Sequence, residues 1–319
     1  EGGWLDGCLG VLAGAEVLRS VAAGGGTPAR SLALVDWADE EGSRFGHSLL
    51  GSSAACGLLD VQAARGLRDA EGIVLEDALR ENGVVVEDMP AAAASLEGAA
   101  AYVELHIEQG PILDDAELAA SAVDGCFGVR RSEFVFTGRA GHAGATPMDR
   151  RRDPLQAAAR FVVGVRAAAV TGGGLATIGA LRTEPGTPTA IADRVRLTLD
   201  LRHRDLAGLE HLDTHAVALA MAAADPEHCT LEREEVWSID PVRFDADLVE
   251  RARELTGTPP LTSGPLHDAA AVARAGVPTV MVFARTLGGV SHSRAEDARE
   301  ADLVVAIDAY GALVQSLLG

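Results

Sequence analysis

The chain has 319 residues, 48% of them hydrophobic, enough to bury a substantial core in one large domain or two. Its formal charge is −20 and its 27 basic residues are all arginine, which makes nucleic acid and anionic membrane surfaces poor partners. No uninterrupted run of about 18 apolar residues offers a membrane span, and Cys8, Cys56, Cys126 and Cys229 are too scattered for a disulfide framework or a zinc knuckle, so reduced thiols and a cytoplasmic location are expected.

Residues 8–23 (CLGVLAGAEVLRSVAA) carry apolar positions at helical spacing, GGGTP breaks that helix, and SLALVDWAD reads as a buried strand running into a loop. SLLGSSAACGLLD and VQAARGLRDAEGIVLEDALRENG read as loop and amphipathic helices. AAYVELHIEQG is a second apolar strand ending in polar residues, where open α/β sheets gather their chemistry. From about residue 129 the pattern changes. RRSEFVFTGRA predicts a strand, DPLQAAARFVVGVRAAAV a helix, LATIGALRTEP and ADRVRLTLDLRH two strands, residues 205–224 a helix and TLEREEVWSI a strand. That order is a split β-α-β arrangement and predicts an α+β domain over 129–235, inserted into an α/β domain made of 1–128 and 236–319. The α/β character resumes with a helix at DADLVERARELTG, a strand at VPTVMVF and a last helix over 301–318.

The adjacent acids Glu40 and Glu41 follow the first predicted strand. Two neighbouring carboxylates repel, so they form either a solvated acidic turn or a pair in which one binds a cation and the other moves a proton. Asp6, His106, His267 and His292 join them at predicted strand-end loops rather than helix faces. Imidazole nitrogen and carboxylate oxygen suit divalent ions such as zinc, and one carboxylate can bridge two ions. Two other signals carry nothing: His106-Ile107-Glu108 lacks the P-C-x-x-C of a zinc deaminase, and the glycine runs lack the Lys-Ser/Thr of a phosphate loop.

GGWLDG, DEEGSRFG, ELHIEQGP, GHAGATPM and SGPLHDA followed by GVSHS resemble, in order, the motifs of the amidohydrolase family that contains N-carbamoyl-L-amino acid hydrolases, β-ureidopropionases and allantoate amidohydrolases. The family is a branch of the aminoacylase and carboxypeptidase-like zinc hydrolases. The resemblance covers nearly the whole chain and implies a catalytic α/β domain with mixed sheet and flanking helices, plus a ferredoxin-like (βαββαβ) lid and dimerisation domain that hinges over it. It implies two divalent metal ions, zinc foremost, with manganese, cobalt or nickel also suited to the ligands. Asp6 would bridge them, Glu41 and His292 would bind one, His106 would bind the other, and Glu40 would be the general base.

The resemblance further implies that Gln109 contacts the carbamoyl group and that His142 reaches the active site of the neighbouring subunit of a homodimer, as an oxyanion donor. Arg202 would clamp the substrate carboxylate, which a planar guanidinium suits. His267 would line the substrate pocket, with Asp268 orienting it or its neighbours. Thr189 stands where the family has an asparagine that holds the substrate, and Ala192-Asp193 where it has Pro-Gly, which loosens the inference to a particular substrate. The family's first metal histidine, ahead of the bridging Asp, has no counterpart from Glu1 onward. On that reading an N-terminal piece is missing, one metal site is short of a ligand, and the chain is expected to be inactive or poorly folded while its full-length parent is active.

Together these readings predict metal-dependent hydrolysis of the C–N bond of a ureido or carbamoyl group on a small carboxylate-bearing molecule. The alternatives are an aminoacylase or dipeptidase on the same scaffold, or a non-catalytic module. An in-frame H-x-D upstream of Glu1 favours the enzyme.

Overall fold

Leu9, Ala13 and Val17 fall on one face of α1 (Cys8–Ala23) and are buried, as their spacing predicts. The computed structural model describes residues 3–319, and the chain divides into two units, one reaching to Cys126 and resuming at Val242, the other Phe127–Pro241. In the first unit α1 is followed by the short helices α2 (Leu50–Ala55), α3 (Val61–Ala64) and α4 (Leu75–Glu81). Asp60 starts α3 by accepting from the amides of Gln62 and Ala63. Then come β1 (Tyr102–Ile107), α5 (Ile112–Asp115) and β2 (Ala120–Cys126).

The apolar run at residues 31–37 corrects one expectation, because it is not a strand. Leu34 and Val35 are exposed, and the run and β1 both line a cavity of about 1210 Å³. An extended segment becomes a strand only by pairing with a neighbouring one; otherwise its backbone groups bond to water or side chains. β1 is at the edge of its sheet and pairs with β11 rather than with this run, so apolar composition alone does not make a strand of it.

The second unit runs β3 (Gly128–Thr137), β4 (Gly141–His142), α6 (Pro154–Gly172), β5 (Leu175–Glu184), β6 (Ala190–Ile191), β7 (Arg194–His203), α7 (Leu206–Ala224) and β8 (Thr230–Ile239). Its main sheet is antiparallel in the order β5-β7-β3-β8, and β4 pairs separately with β6. Val195, Leu197, Leu199 and Leu201 alternate along β7 and are buried in one apolar core with Phe134, Phe136 and Phe161 and with residues of α6 and α7. α6 is punctuated at both ends: Asp153 accepts from the Leu155 amide, Pro154 takes the first turn, and Gly173 ends the helix at φ 71°.

Back in the first unit are β9 (Val242–Arg243), α8 (Ala246–Thr256), β10 (Leu261–Ser263), α9 (Asp268–Arg274), β11 (Thr279–Ala284) and α10 (Glu300–Leu318). The sheet order is β1-β11-β2-β10 with β9 on β2, and it is mixed: β1 is parallel to β11, β11 antiparallel to β2, and β2 parallel to β10. α10 is long and apolar enough to cross a membrane by length and composition. It nonetheless carries Glu300, Asp302 and Asp308 and packs on β1, β2, β11, α1 and α8, as the core helix of a folded domain does.

Candidate active site

Four segments of the first unit deliver the site. Asp6 sits in the turn that enters α1, where Gly7 takes φ 69°. Glu40 and Glu41 occupy the turn after the 31–37 run, His106 is near the end of β1, and His292 lies in the loop beyond β11. Asp39, Gln109 and His292 hold φ of 51°, 61° and 53°, a region that side chains other than glycine enter at a cost of about 1–3 kcal/mol and that clusters at functional sites.

The Asp6 carboxylate stands between two imidazoles. Its Oδ1 is 3.1 Å from His106 Nε2, and its Oδ2 is 3.1 Å from His292 Nε2. His292 Nε2 is also 3.0 Å from Glu41 Oε1. Gln109 donates to Asp6 Oδ2 at 2.8 Å, and Ser291 donates to the same oxygen at 3.0 Å. Ligand atoms of Asp6, Glu41 and His292 all lie within 4.8 Å of one another.

The donor set fits a divalent cation. The Nδ1–H of His106 donates to the Ile107 carbonyl at 2.8 Å, which directs the lone pair of Nε2 at a carboxylate oxygen that is itself an acceptor. Two acceptors at that distance need a proton or a cation between them. Burial disfavours charge on His106, but the Asp6 and Glu104 carboxylates overcome it and raise the imidazole to about 9. Burial likewise opposes the charge on Asp6, and hydrogen bonding and attraction from His106, with Ser291 and Gln109, bring it down to about 2. His292 Nε2 faces two carboxylate oxygens on the other side, so positive charge is called for on both faces of Asp6.

Glu40 lines the same cavity as Asp6, Glu41 and His106. Burial, then the carboxylates of Asp268 and Glu41, push its carboxyl up to about 8, so that it exchanges a proton near neutral pH. Asp268, at the start of α9, is raised to about 7 by burial and by Glu104. Gln109 Oε1 is buried and finds no hydrogen-bond partner among the described residues.

His267 is only 2% exposed and is one of the residues that line the cavity. Its ring meets that of His106 edge-on with centroids 4.4 Å apart. The Ser263 hydroxyl donates to the Pro265 carbonyl at 2.9 Å, so at its 2.9 Å contact with His267 it accepts from Nε2–H. The bare Nδ1 then faces Glu104 Oε1 at 3.8 Å, and burial together with the positive His106 holds the ring neutral.

His142, Thr189 and Arg202 belong to the second unit. There the structure brings His142 and Thr189 together: His142 pairs with Ala190 in register, and the Ala143 amide donates to the Thr189 carbonyl at 2.9 Å. His142 is exposed, and the Gly144 amide donates to its Nδ1 at 3.1 Å, which leaves Nε2–H as an outward donor. Arg202, near the end of β7, donates from Nε to Asp200 at 2.9 Å.

Sequence reasoning missed two residues that shape the site. Ser291 precedes His292 and bonds to Asp6, and a hydroxyl beside a motif histidine is the only hint of it in the sequence. Glu104 is half-buried two residues before His106 on the same face of β1, where it accepts from the Tyr102 hydroxyl at 2.9 Å and from the Ala269 amide of α9 at 3.0 Å. A charged residue inside an apolar strand was the available signal.

Residues 1–316 match the model of peptidase family M20/M25/M40. The chain is 38% identical over 311 residues to an N-carbamoyl-L-amino acid amidohydrolase of Geobacillus stearothermophilus, covering 96% of this chain and 76% of that protein. It is 32% identical to an allantoate amidohydrolase of Bacillus subtilis, covering 99% of this chain and 78% of that protein. Among solved structures, a hydantoinase/carbamoylase family amidase of Burkholderia multivorans superimposes with a TM-score of 0.83 at 33% identity, over 98% of this chain and 76% of the other.

Proposed function

The chain belongs to peptidase family M20/M25/M40, and from that premise we propose that it is a metal-dependent amidohydrolase that cleaves the C–N bond of a ureido or carbamoyl group on a small carboxylate-bearing substrate. The observation that carries this reading is the division of the Asp6 carboxylate, one oxygen facing His106 and the other facing His292 beside Glu41. Asp6, Glu41, His106 and His292 would hold two divalent cations, zinc foremost, with Asp6 shared between them. Cations bound there supply Lewis acidity, polarising the ureido carbonyl and lowering the pKa of water.

Glu40 takes a proton from the attacking water and returns it to the leaving nitrogen, a task matched to a carboxyl raised to about 8. Gln109 offers its unpartnered Oε1 to the carbamoyl NH2 while its Nε2 stays on Asp6. Water adds across the carbamoyl group and the products are an amino acid, ammonia and carbon dioxide. The second unit contributes Arg202, for the substrate carboxylate, and Thr189. In a homodimer built through that unit, His142 donates from Nε2–H to the oxyanion in the partner subunit, a role its exposure and fixed tautomer support. His267, beside His106 in the wall of the cavity, would line the substrate pocket. A reducing, cytoplasmic setting is supported by four cysteines that remain unpaired.

A substrate panel tests the reading. N-carbamoyl-α-amino acids, N-carbamoyl-β-alanine, allantoate and N-acetyl amino acids are incubated with the full-length protein, with and without added Zn2+, Mn2+, Co2+ or Ni2+. Metal-dependent turnover of at least one ureido acid, above that of the N-acetyl compounds, is expected. Preference for the N-acetyl amides identifies an aminoacylase instead.

A further inference from the structure

Glu296 is a carboxylate that the proposed reaction does not use, and it is only 2% exposed. Its Oε1 accepts from the Leu5 amide at 2.9 Å and the Asp6 amide at 3.0 Å, and its Oε2 accepts from the Ser291 hydroxyl at 3.0 Å. The Trp4 indole N–H donates to its main-chain carbonyl at 2.8 Å. Gly3, at φ 95°, closes the enclosure: a Cβ there would fall 2.3 Å from the Glu296 carboxylate carbon. One side chain therefore ties the turn bearing Asp6 to the loop bearing His292, across 290 residues of sequence.

The chemistry of a carboxylate explains why it stands there. Two amides and a hydroxyl converge on it as donors, and an ionised carboxylate accepts from all three with nothing left to donate. Ser291 has a single hydroxyl proton and two acceptors at 3.0 Å, Asp6 Oδ2 and Glu296 Oε2.

Resting on the reading of Asp6 and His292 as cation ligands, we propose that Glu296 is a positioning residue that fixes the separation between the Asp6 carboxylate and the His292 imidazole, and so sets the affinity of the site for a divalent cation. Partners of this kind orient ligands at metal sites, and losing one lowers metal affinity by about 10–100-fold.

The test is zinc affinity measured by equilibrium dialysis with elemental analysis, on wild type, Glu296→Ala and Glu296→Gln, alongside the melting temperature of each metal-free protein. Glu296→Ala is expected to weaken zinc binding by about 10–100-fold, and Glu296→Gln, which keeps an oxygen for the two amides, by less than about tenfold but measurably. A purely structural role lowers the melting temperature and leaves the zinc affinity of the folded fraction unchanged; that result overturns the proposal. If Glu296→Ala does not fold, Glu296→Gln decides alone: a weakened affinity supports the proposal and an unchanged one overturns it. Wild-type protein that binds no zinc refutes the metal reading itself, a separate failure.

Discussion

The carboxylates on the second unit's sheet and those of the candidate site are held in opposite ways, although elsewhere in the first unit acids such as Asp114 and Asp69 also pair with arginine. In Phe127–Pro241 the acids meet guanidinium groups: Asp200 lies 2.8 Å from Arg131 and 2.9 Å from Arg202, Asp213 lies 2.5 Å from Arg233, and Glu133 pairs with Arg196. At the candidate site, Asp6, Glu40, Glu104 and Asp268 gather around the imidazoles of His106 and His267; burial raises Glu40, Glu104 and Asp268, and neighbouring carboxylates add to the rise of Glu40 and Asp268. Permanent arginine charge satisfies an acid for good. The imidazole charge that balances Asp6 is lost when His106 and His292 deprotonate, which leaves room for a cation to take over.

The largest effect should follow removal of the acid between the two imidazoles. Asp6→Ala is expected to lower kcat/KM on the preferred ureido acid by about 10³-fold or more, several kcal/mol of charge stabilisation, and to reduce bound metal in the purified protein. Retained turnover would break the contrast between the units. Glu40→Gln should separate proton transfer from metal binding. It is expected to cost about 10²–10⁴-fold in kcat while metal content, by elemental analysis, stays at the wild-type level.

Raising the pH sharpens the contrast in stability. Glu40 passes from 4.5 unfolded to about 8 folded, Asp268 from 3.8 to about 7 and His106 from 6.5 to about 9. A folded pKa above the unfolded value gives stability that is complete below the unfolded value and lost as pH climbs through the folded one. The melting temperature of the metal-free protein should therefore fall as pH rises from about 4.5 to about 9, and added Zn2+ should flatten the decline; a flat metal-free profile contradicts this. The smallest effect belongs to the second unit. Arg233→Leu removes contacts to Asp213 and Ser132 and is expected to cost about 1–2 kcal/mol in denaturant unfolding, with kcat/KM within about twofold of wild type.

The sequence made the second unit's βαββαβ order legible because its strands alternate, as Val195 to Leu201 do along β7, and its helices carry clear start and stop residues at Asp153 and Gly173. β2 left no such trace. It lies inside the sheet with nearly every residue buried, and small residues buried on both faces show no period of two. The 31–37 run erred the other way, apolar in composition but with no strand pairing to it among the described residues. At the site, motif resemblance pointed to Asp6, Glu41, His106 and His292, and the fold brings those four together. Glu104, Ser291 and Glu296 were not legible. Their contacts join residues far apart in the chain, 165 for Ala269 to Glu104 and 285 for Ser291 to Asp6, and no local pattern encodes such meetings.

The most direct measurement is a crystal structure of zinc-soaked protein with anomalous data collected at the zinc edge. Anomalous peaks should stand within about 2.0–2.2 Å of Asp6 Oδ1 and His106 Nε2 on one side, and of Asp6 Oδ2, Glu41 and His292 Nε2 on the other. Well-ordered density for those side chains with no anomalous peak between them would contradict the metal-dependent mechanism.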